Sequence, residues 1–303
     1  MKIVLIGAGA MGCLLHQQLQ SRHQVQFLPK ATTPLASLHQ NYSFMDLHGS
    51  RKDLSLHYVQ VEQLKQADVI ICALKAYQMR PAVDYIQPYL HSDCPLILLH
   101  NGMGVLQQIR SVLAPDQLIG LMLSTQGARR HRPDFVQHTG QGQWQLGNYQ
   151  NLTEQCPAIQ LLIEDLGNCS WHDDIRTRQW TKLAINSVIN PLTAIYDILN
   201  GELAKVQYQS RMAMLVDEIV AQADYAEITL DKEALTNTIE QVIRQTAQNS
   251  SSMREDILAG RCSEIDYING YILQCSQQSK IEAPQNQLCV TQIKALEQQN
   301  KRA

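Results

Sequence analysis

The feature that most limits what this chain can become sits at its start. Lys2-Ile3-Val4-Leu5-Ile6 is a short, β-branched aliphatic run, the pattern of a parallel strand buried on both faces. It leads into Gly7-Ala8-Gly9-Ala10-Met11-Gly12 and then into a helical pattern carrying Leu14, Leu15 and Leu19. A GxGxxG spacing is weak by itself, but a strand before it and a helix after it make it a dinucleotide-binding turn. Gly7 permits the tight turn, Gly9 lets backbone approach a pyrophosphate, and Gly12 lets helix and strand pack closely. The phosphates then lie at the positive end of the helix dipole. The same residues admit a second reading, because Met1-Lys2 before an apolar run from Ile3 to Leu15 has the look of a signal-peptide head. Cys13 after Ala10-Met11-Gly12 adds a hint of a lipid-modified cysteine, although the leucine that such sites favour three residues upstream is absent. The phosphate turn accounts for the glycines and the signal reading does not, so a cytoplasmic location is expected.

The second strand separates the two nicotinamide dinucleotides. Val25-Gln26-Phe27-Leu28 ends at Pro29-Lys30, and no Asp or Glu occurs between Gly12 and Asp46. NAD-selective sites place an acid about 20 residues past the glycines to hold the ribose 2′-hydroxyl. Lys30 offers a cation where a 2′-phosphate would lie, so NADP(H) is the expected cofactor. Further strands are expected over residues 68–74, ending at Lys75, over 95–99, ending at His100-Asn101-Gly102-Met103-Gly104, and over 118–123. Ligands of open parallel sheets bind beyond the carboxyl ends of the strands, which puts Lys75 and Asn101 beside the cofactor. From Gln126 to Tyr149 short alternations read as hairpin strands extending the sheet. A helix over 157–166 and a strand near 169–171 close the domain.

A length of 303 residues exceeds the roughly 250 at which single cores stop growing, so two domains are expected. The seam falls near residue 172, where helical spacing takes over. The predicted architecture is α/β: a Rossmann-type doubly wound sheet over residues 1–172, then an all-helical domain over 173–303. In the helical part, Lys182, Asn186 and Asn190 occupy one roughly 80° sector of a helix that is otherwise mostly apolar. A buried helix with one narrow polar stripe presents it to a polar cavity or to a partner helix, because unpaired burial is costly. Pro191 predicts a kink at Asn190. Further on, Ser263 reads as a helix N-cap with Asp266 completing a capping box, which leaves Glu264 without a structural task. The eight cysteines form no CxxC pair, so neither a metal site nor a disulfide framework is expected. A formal net charge of -3 argues against a nucleic-acid footprint. No apolar run reaches the roughly 18 residues of a membrane span.

Seven segments together resemble the ketopantoate reductase (2-dehydropantoate 2-reductase) family. They are GAGAMG at 7–12, LKAYQ at 74–78, HNGMG at 100–104, KLAINSVINPLTAI at 182–195, NGEL at 200–203, SSSM at 250–253 and EIDYING at 264–270. The resemblance spans almost the whole chain in order. It implies an NADPH-dependent two-domain enzyme reducing ketopantoate to (R)-pantoate for pantothenate and coenzyme A biosynthesis, with its active site in the cleft between the domains. It implies that Lys182 is catalytic, that Glu264 is an acid near the lysine and the nicotinamide ribose, and that Asn186, Asn190, Asn200 and Ser252 bind substrate. It further implies that Asn101 touches cofactor and substrate, and that Lys75 and Ala128 touch cofactor. Two departures stand out. Lys30 replaces the family's usual arginine and lacks its bidentate fork, which softens the expected NADPH preference. The stretch Ser124-Thr125-Gln126-Gly127-Ala128 replaces a histidine-alanine-alanine pattern. A related reductase of another 2-oxo acid would keep the cofactor turn and Lys182 while repacking the substrate pocket. A non-catalytic NADP(H)-binding regulator would keep the glycines and have no need of the Lys/Asn stripe. The expected partner is a small-molecule substrate, and the chain is expected to be a monomer or a homodimer.

Overall fold

β-branched runs that meet tight turns favour strands, and the computed structural model, which describes residues 1–300, has eleven strands among them. They are β1 (Lys2–Ile6), β2 (Gln24–Leu28), β3 (Asn41–Met45), β4 (Arg51–Ser55), β5 (Val69–Ala73), β6 (Leu96–Leu99), β7 (Ile119–Ser124), β8 (Gly127–Arg132), β9 (Phe135–Gly140), β10 (Trp144–Gln150) and β11 (Cys169–His172). The chain divides into two compact units, residues 1–100 with 105–175, and residues 101–104 with the chain from Arg176 onward.

The first unit is built on a seven-stranded sheet of order β11-β10-β7-β6-β5-β1-β2. β2, β1, β5, β6 and β7 run parallel, which requires crossover connections. Three of these contain helices: α1 (Ala10–Leu19), α2 (Ala76–Ile86) and α3 (Val105–Ile109). α4 (Pro157–Leu166) leads from β10 into β11, ending on Gly167 in the left-handed conformation that glycine adopts without penalty. After β2 the chain returns to the other side of β1 to lay down β5, so the strand order reverses at β1 and β5. Such a reversal is where open sheets bind ligands. Ile3, Leu5, Leu14, Leu15, Leu19, Ile71 and Trp144 form the core of this unit.

The hairpin region departs from expectation. Only β10 extends the main sheet, while β8 and β9 join β3 and β4 in a separate sheet of order β4-β3-β9-β8. The reason is the inward face of that sheet, where Tyr42, Phe44, Leu54 and Val136 are buried. The small sheet covers α1, and the Tyr42 hydroxyl donates to the Cys13 carbonyl at 2.9 Å and meets His16 Nδ1 at 2.9 Å. Burial brings the His16 imidazole down to about 4, so it is neutral there at pH 7.

The second unit is helical: α5 (Ile175–Tyr196), α6 (Val206–Tyr225), α7 (Lys232–Gln245), α8 (Ser252–Leu258), α9 (Asn269–Ser279) and α10 (Pro284–Asn300). Trp180, Leu183, Ala184, Val188 and Leu192 of α5 are buried at the spacing of one helical stripe. They pack with Leu215, Ile219, Ile239, Ile272 and Ile293. α5 runs through Pro191 as one helix. Proline lacks the N–H that would bind the carbonyl four residues back, which here is that of Ser187. The buried Asn269 side chain donates to that carbonyl at 2.9 Å and to Asn286 Oδ1 at 3.0 Å. Glu218 of α6 accepts the backbone N–H groups of Gln285 and Asn286 at 2.7 and 2.9 Å, capping α10. No helix among the described residues is long and apolar enough to cross a membrane.

Candidate active site

The glycines of the first turn have different tasks. Gly7 has φ +110°, and a Cβ there would lie 2.3 Å from the Ala73 carbonyl oxygen at the end of β5. A Cβ on Gly12 would lie 1.9 Å from the Gly7 carbonyl oxygen, whereas one on Gly9 meets nothing within 4 Å. Gly7 and Gly12 are therefore demanded by packing, while the exposed Gly9 borders open space. Gly9 is also the N-cap of α1 and supplies no side-chain cap, so the first N–H groups of the helix, from Ala10 and Met11 onward, form an anion-binding end. A cradle that a side chain would obstruct, at a strand-order reversal, fits a dinucleotide pyrophosphate. Ala8 completes the turn. Lys30 is exposed two residues past β2, and Lys75 is the half-buried N-cap of α2 at the carboxyl end of β5. Ala128 lies near the start of β8, at a register irregularity against β9.

The second unit assembles a different kind of site, from side chains. Gly102 has φ +79° and a Cβ there would lie 2.2 Å from the Tyr267 carbonyl oxygen. The 101–104 turn is held by Met103 N–H donating to Tyr267 O at 2.8 Å and by Gln179 Nε2 donating to Gly102 O at 3.1 Å. That turn aims Asn101, whose Nδ2 donates to Glu264 Oε2 at 3.1 Å. Glu264 is buried, and its charge acts on Lys182. Desolvation lowers the Lys182 ammonium to about 8, and the Glu264 carboxylate opposes that shift. Lysine, acid and amide, distant in sequence, thus form one electrostatic group. Asn186 and Asn190 follow Lys182 at successive turns of α5, the first half-buried and the second buried.

Asn200 and Ser252 belong to two segments knitted together. Asn200 N–H donates to Asn249 O at 3.0 Å, and Gly201 N–H to Ala247 O at 3.1 Å. Asn200 Nδ2 donates to Thr246 Oγ1 at 3.0 Å, while its Oδ1 is buried with no hydrogen-bond partner. Thr193 Oγ1 donates to Ser251 Oγ at 2.7 Å, and Ser251 caps α8 by accepting from Arg254 N–H. Arg254 joins Asp197 Oδ1 at 2.8 Å and Ser250 Oγ at 2.9 Å. Ser252, the first residue of α8, is exposed.

The expected capping box at Ser263 is replaced. Glu297 accepts both the N–H and the hydroxyl of Ser263, at 2.8 and 2.7 Å, and Asp266 pairs with Lys294 instead. The N–H of Ser263 is taken from α10 rather than from the next turn, so local spacing misled. Sequence reading passed over the task of Asn269 and missed Arg254, Thr246, Gln179 and Glu297. Only Pro191 carried a signal, since a proline inside a buried helix requires a donor from elsewhere. Among the described residues no group of three or more His, Cys, Asp or Glu could hold a metal ion.

Comparison with known proteins agrees across the chain. Residues 3–151 match the family model "Ketopantoate reductase PanE/ApbA", and residues 174–297 match "Ketopantoate reductase PanE/ApbA C terminal". A 2-dehydropantoate 2-reductase of Vibrio cholerae is 33% identical over 300 residues, covering 98% of each chain. A D-mandelate dehydrogenase solved with NADH and anilino(oxo)acetate has a TM-score of 0.90 at 24% identity, over 99% of this chain and 100% of that one. A PanE/ApbA family ketopantoate reductase from Ralstonia eutropha JMP134 has a TM-score of 0.88 at 22% identity, over the same shares. At those identities the two structures speak for the fold alone. The matched models and the full-length relative establish that this chain belongs to the ketopantoate reductase family, whose members are pyridine-nucleotide-dependent oxidoreductases acting on CH–OH groups.

Proposed function

We propose that the chain is an NADPH-dependent 2-dehydropantoate 2-reductase that forms (R)-pantoate for pantothenate and coenzyme A biosynthesis. The observation that carries the reading is the Lys182, Glu264 and Asn101 group, since a protein that only bound dinucleotide would not keep a desolvated lysine beside a buried acid. When bound, NADPH supplies the hydride. The residues of the chain deal with the charge that hydride creates. The Lys182 ammonium polarises the ketone and then gives a proton to the alkoxide oxygen. A group near 8 remains protonated at neutral pH yet releases its proton more readily than an ordinary lysine near 10.4. Glu264 keeps the ammonium charged and Asn101 fixes the carboxylate. The neutral groups of Asn186, Asn190, Asn200 and Ser252 hold hydroxyl and carboxylate without trapping the lysine in a second ion pair, and the open Asn200 Oδ1 suits a substrate hydroxyl.

The cofactor half of the reading assigns the turn from Gly7 to Gly12, with Ala8, Gly9, Ala10 and Met11, to the pyrophosphate, and Lys30 to the 2′-phosphate. Lys75, Asn101, Ala128 and Glu264 complete the cofactor contacts. A cytoplasmic setting accords with a cysteine spacing that offers no disulfide framework. NADPH oxidation measured with ketopantoate and a panel of 2-oxo acids tests the proposal. The highest kcat/KM belongs to ketopantoate; a higher value for another acid reassigns the substrate, and no turnover with any acid removes the enzyme reading.

A further inference from the structure

The densest basic stretch of the chain, Arg129-Arg130-His131-Arg132, lies on β8, and the function described above does not use it. Arg129, His131 and Arg132 are exposed, while Arg130 is partly buried. Alternation puts Arg130 on the same face of the strand as Ala128, and Ala128 packs against the core of the first unit. The Arg130 guanidinium reaches the first turn, donating through Nη1 to the Ala8 carbonyl and through Nη2 to the Pro133 carbonyl. It therefore spans the glycine turn and the loop between β8 and β9.

The chemistry of the Ala8–Gly9 peptide gives this contact a consequence. Among the described residues no peptide bond is cis, and in a planar trans peptide the C=O and the N–H point in opposite directions. Ala8 O is drawn to Arg130 and also accepts from Cys13 Sγ at 3.6 Å, which turns the Gly9 N–H the other way. Gly9 is the exposed position where an added Cβ meets nothing within 4 Å. Glycine has the freest backbone of any residue, so without an anchor this peptide would sample both orientations and binding would have to select one. We propose that Arg130 is a positioning residue for the pyrophosphate turn, locking the Ala8–Gly9 peptide with its N–H toward the phosphates and adding fixed positive charge behind it. Its hydrogen bonds go to the Ala8 and Pro133 carbonyls, so the role assigned to it is exerted through the turn and not as a ligand of the 2′-phosphate. The inference rests on the cofactor reading above.

The test is the dissociation constant of NADPH and of NADH, read by nucleotide fluorescence on wild type, Arg130→Gln and Arg130→Lys, with circular dichroism and thermal melting as folding controls. A charge-assisted hydrogen bond and an ordered turn set the scale. Arg130→Gln weakens both nucleotides by about tenfold and to the same extent. Arg130→Lys, which keeps the charge and one donor but not the fork, recovers part of that affinity. kcat at saturating NADPH changes less than twofold, because a preformed turn governs binding rather than chemistry. Unchanged dissociation constants in either folded variant overturn the proposal, and so does a loss confined to NADPH. A wild-type chain that binds neither nucleotide removes the cofactor reading and this role with it.

Discussion

The two units build their candidate sites in opposite ways. The first makes its site from backbone: glycines whose missing side chains leave room, and helix N–H groups that need no particular residue. The second makes its site from side chains, Lys182, Asn101 and Glu264, each brought from a different stretch of the chain. A backbone site is compact in sequence and announces itself as a motif. A side-chain site is dispersed, and its supports leave almost no local signature.

Lys182→Met breaks the second site most severely and separates chemistry from folding. Removing the proposed general acid should reduce kcat by about 10³-fold, with NADPH binding within twofold of wild type. The Tm of the variant should change little or fall, because relief of the lysine's desolvation is offset by leaving the buried Glu264 carboxylate without its cation. In the wild-type enzyme, the rate of ketone reduction should fall as pH rises through about 8. Glu264→Gln removes the carboxylate that raises the lysine, so that limb should move to lower pH, as a pH profile of kcat will record.

The first site breaks through its glycines, and their tasks predict opposite outcomes. Gly12→Ala forces a Cβ to within 1.9 Å of backbone, so it should lose both stability and nucleotide affinity, the latter by about a hundredfold or more. Gly9→Ala has open space and should leave Tm nearly unchanged while still weakening the nucleotide, through lost close approach. Equal melting losses would erase the distinction between a packing glycine and a binding one. Lys30→Glu is the finer cut: NADPH should weaken by roughly ten- to a hundredfold through charge repulsion and NADH by far less. Titration of each nucleotide decides it.

Legibility in the sequence followed the same division. The turn at 7–12, the parallel strands and the Lys/Asn stripe could be read because each is set by neighbours within one element. The small sheet could not, because whether β8 and β9 continue one sheet or join β3 and β4 depends on burial of Tyr42 and Phe44 over α1. Nor could the pairing of Ser263 with Glu297, since an acid in α10 competes with the nearby Asp266 and nothing local ranks the two. The Asn101–Glu264 contact was foreseen by neither spacing nor resemblance, which gave each residue a role without pairing the two.

The smallest expected effect concerns a site that never touches a ligand. Asn269→Ala leaves the Ser187 carbonyl without its donor, which should cost about 1–3 kcal/mol in a denaturant titration and leave substrate affinity little changed. The pairing of Pro191 with Asn269 also limits how this helix can drift. Replacing the proline restores a backbone donor that the asparagine already supplies, and replacing the asparagine alone exposes the proline's defect. Each change is harmful or idle until the other is made, so the two positions form an epistatic pair. A library that varies α5 while holding α9 constant will accept replacements of Pro191 without gain, and only joint variation will reveal how far an unbroken helix can do without the Asn269 donor.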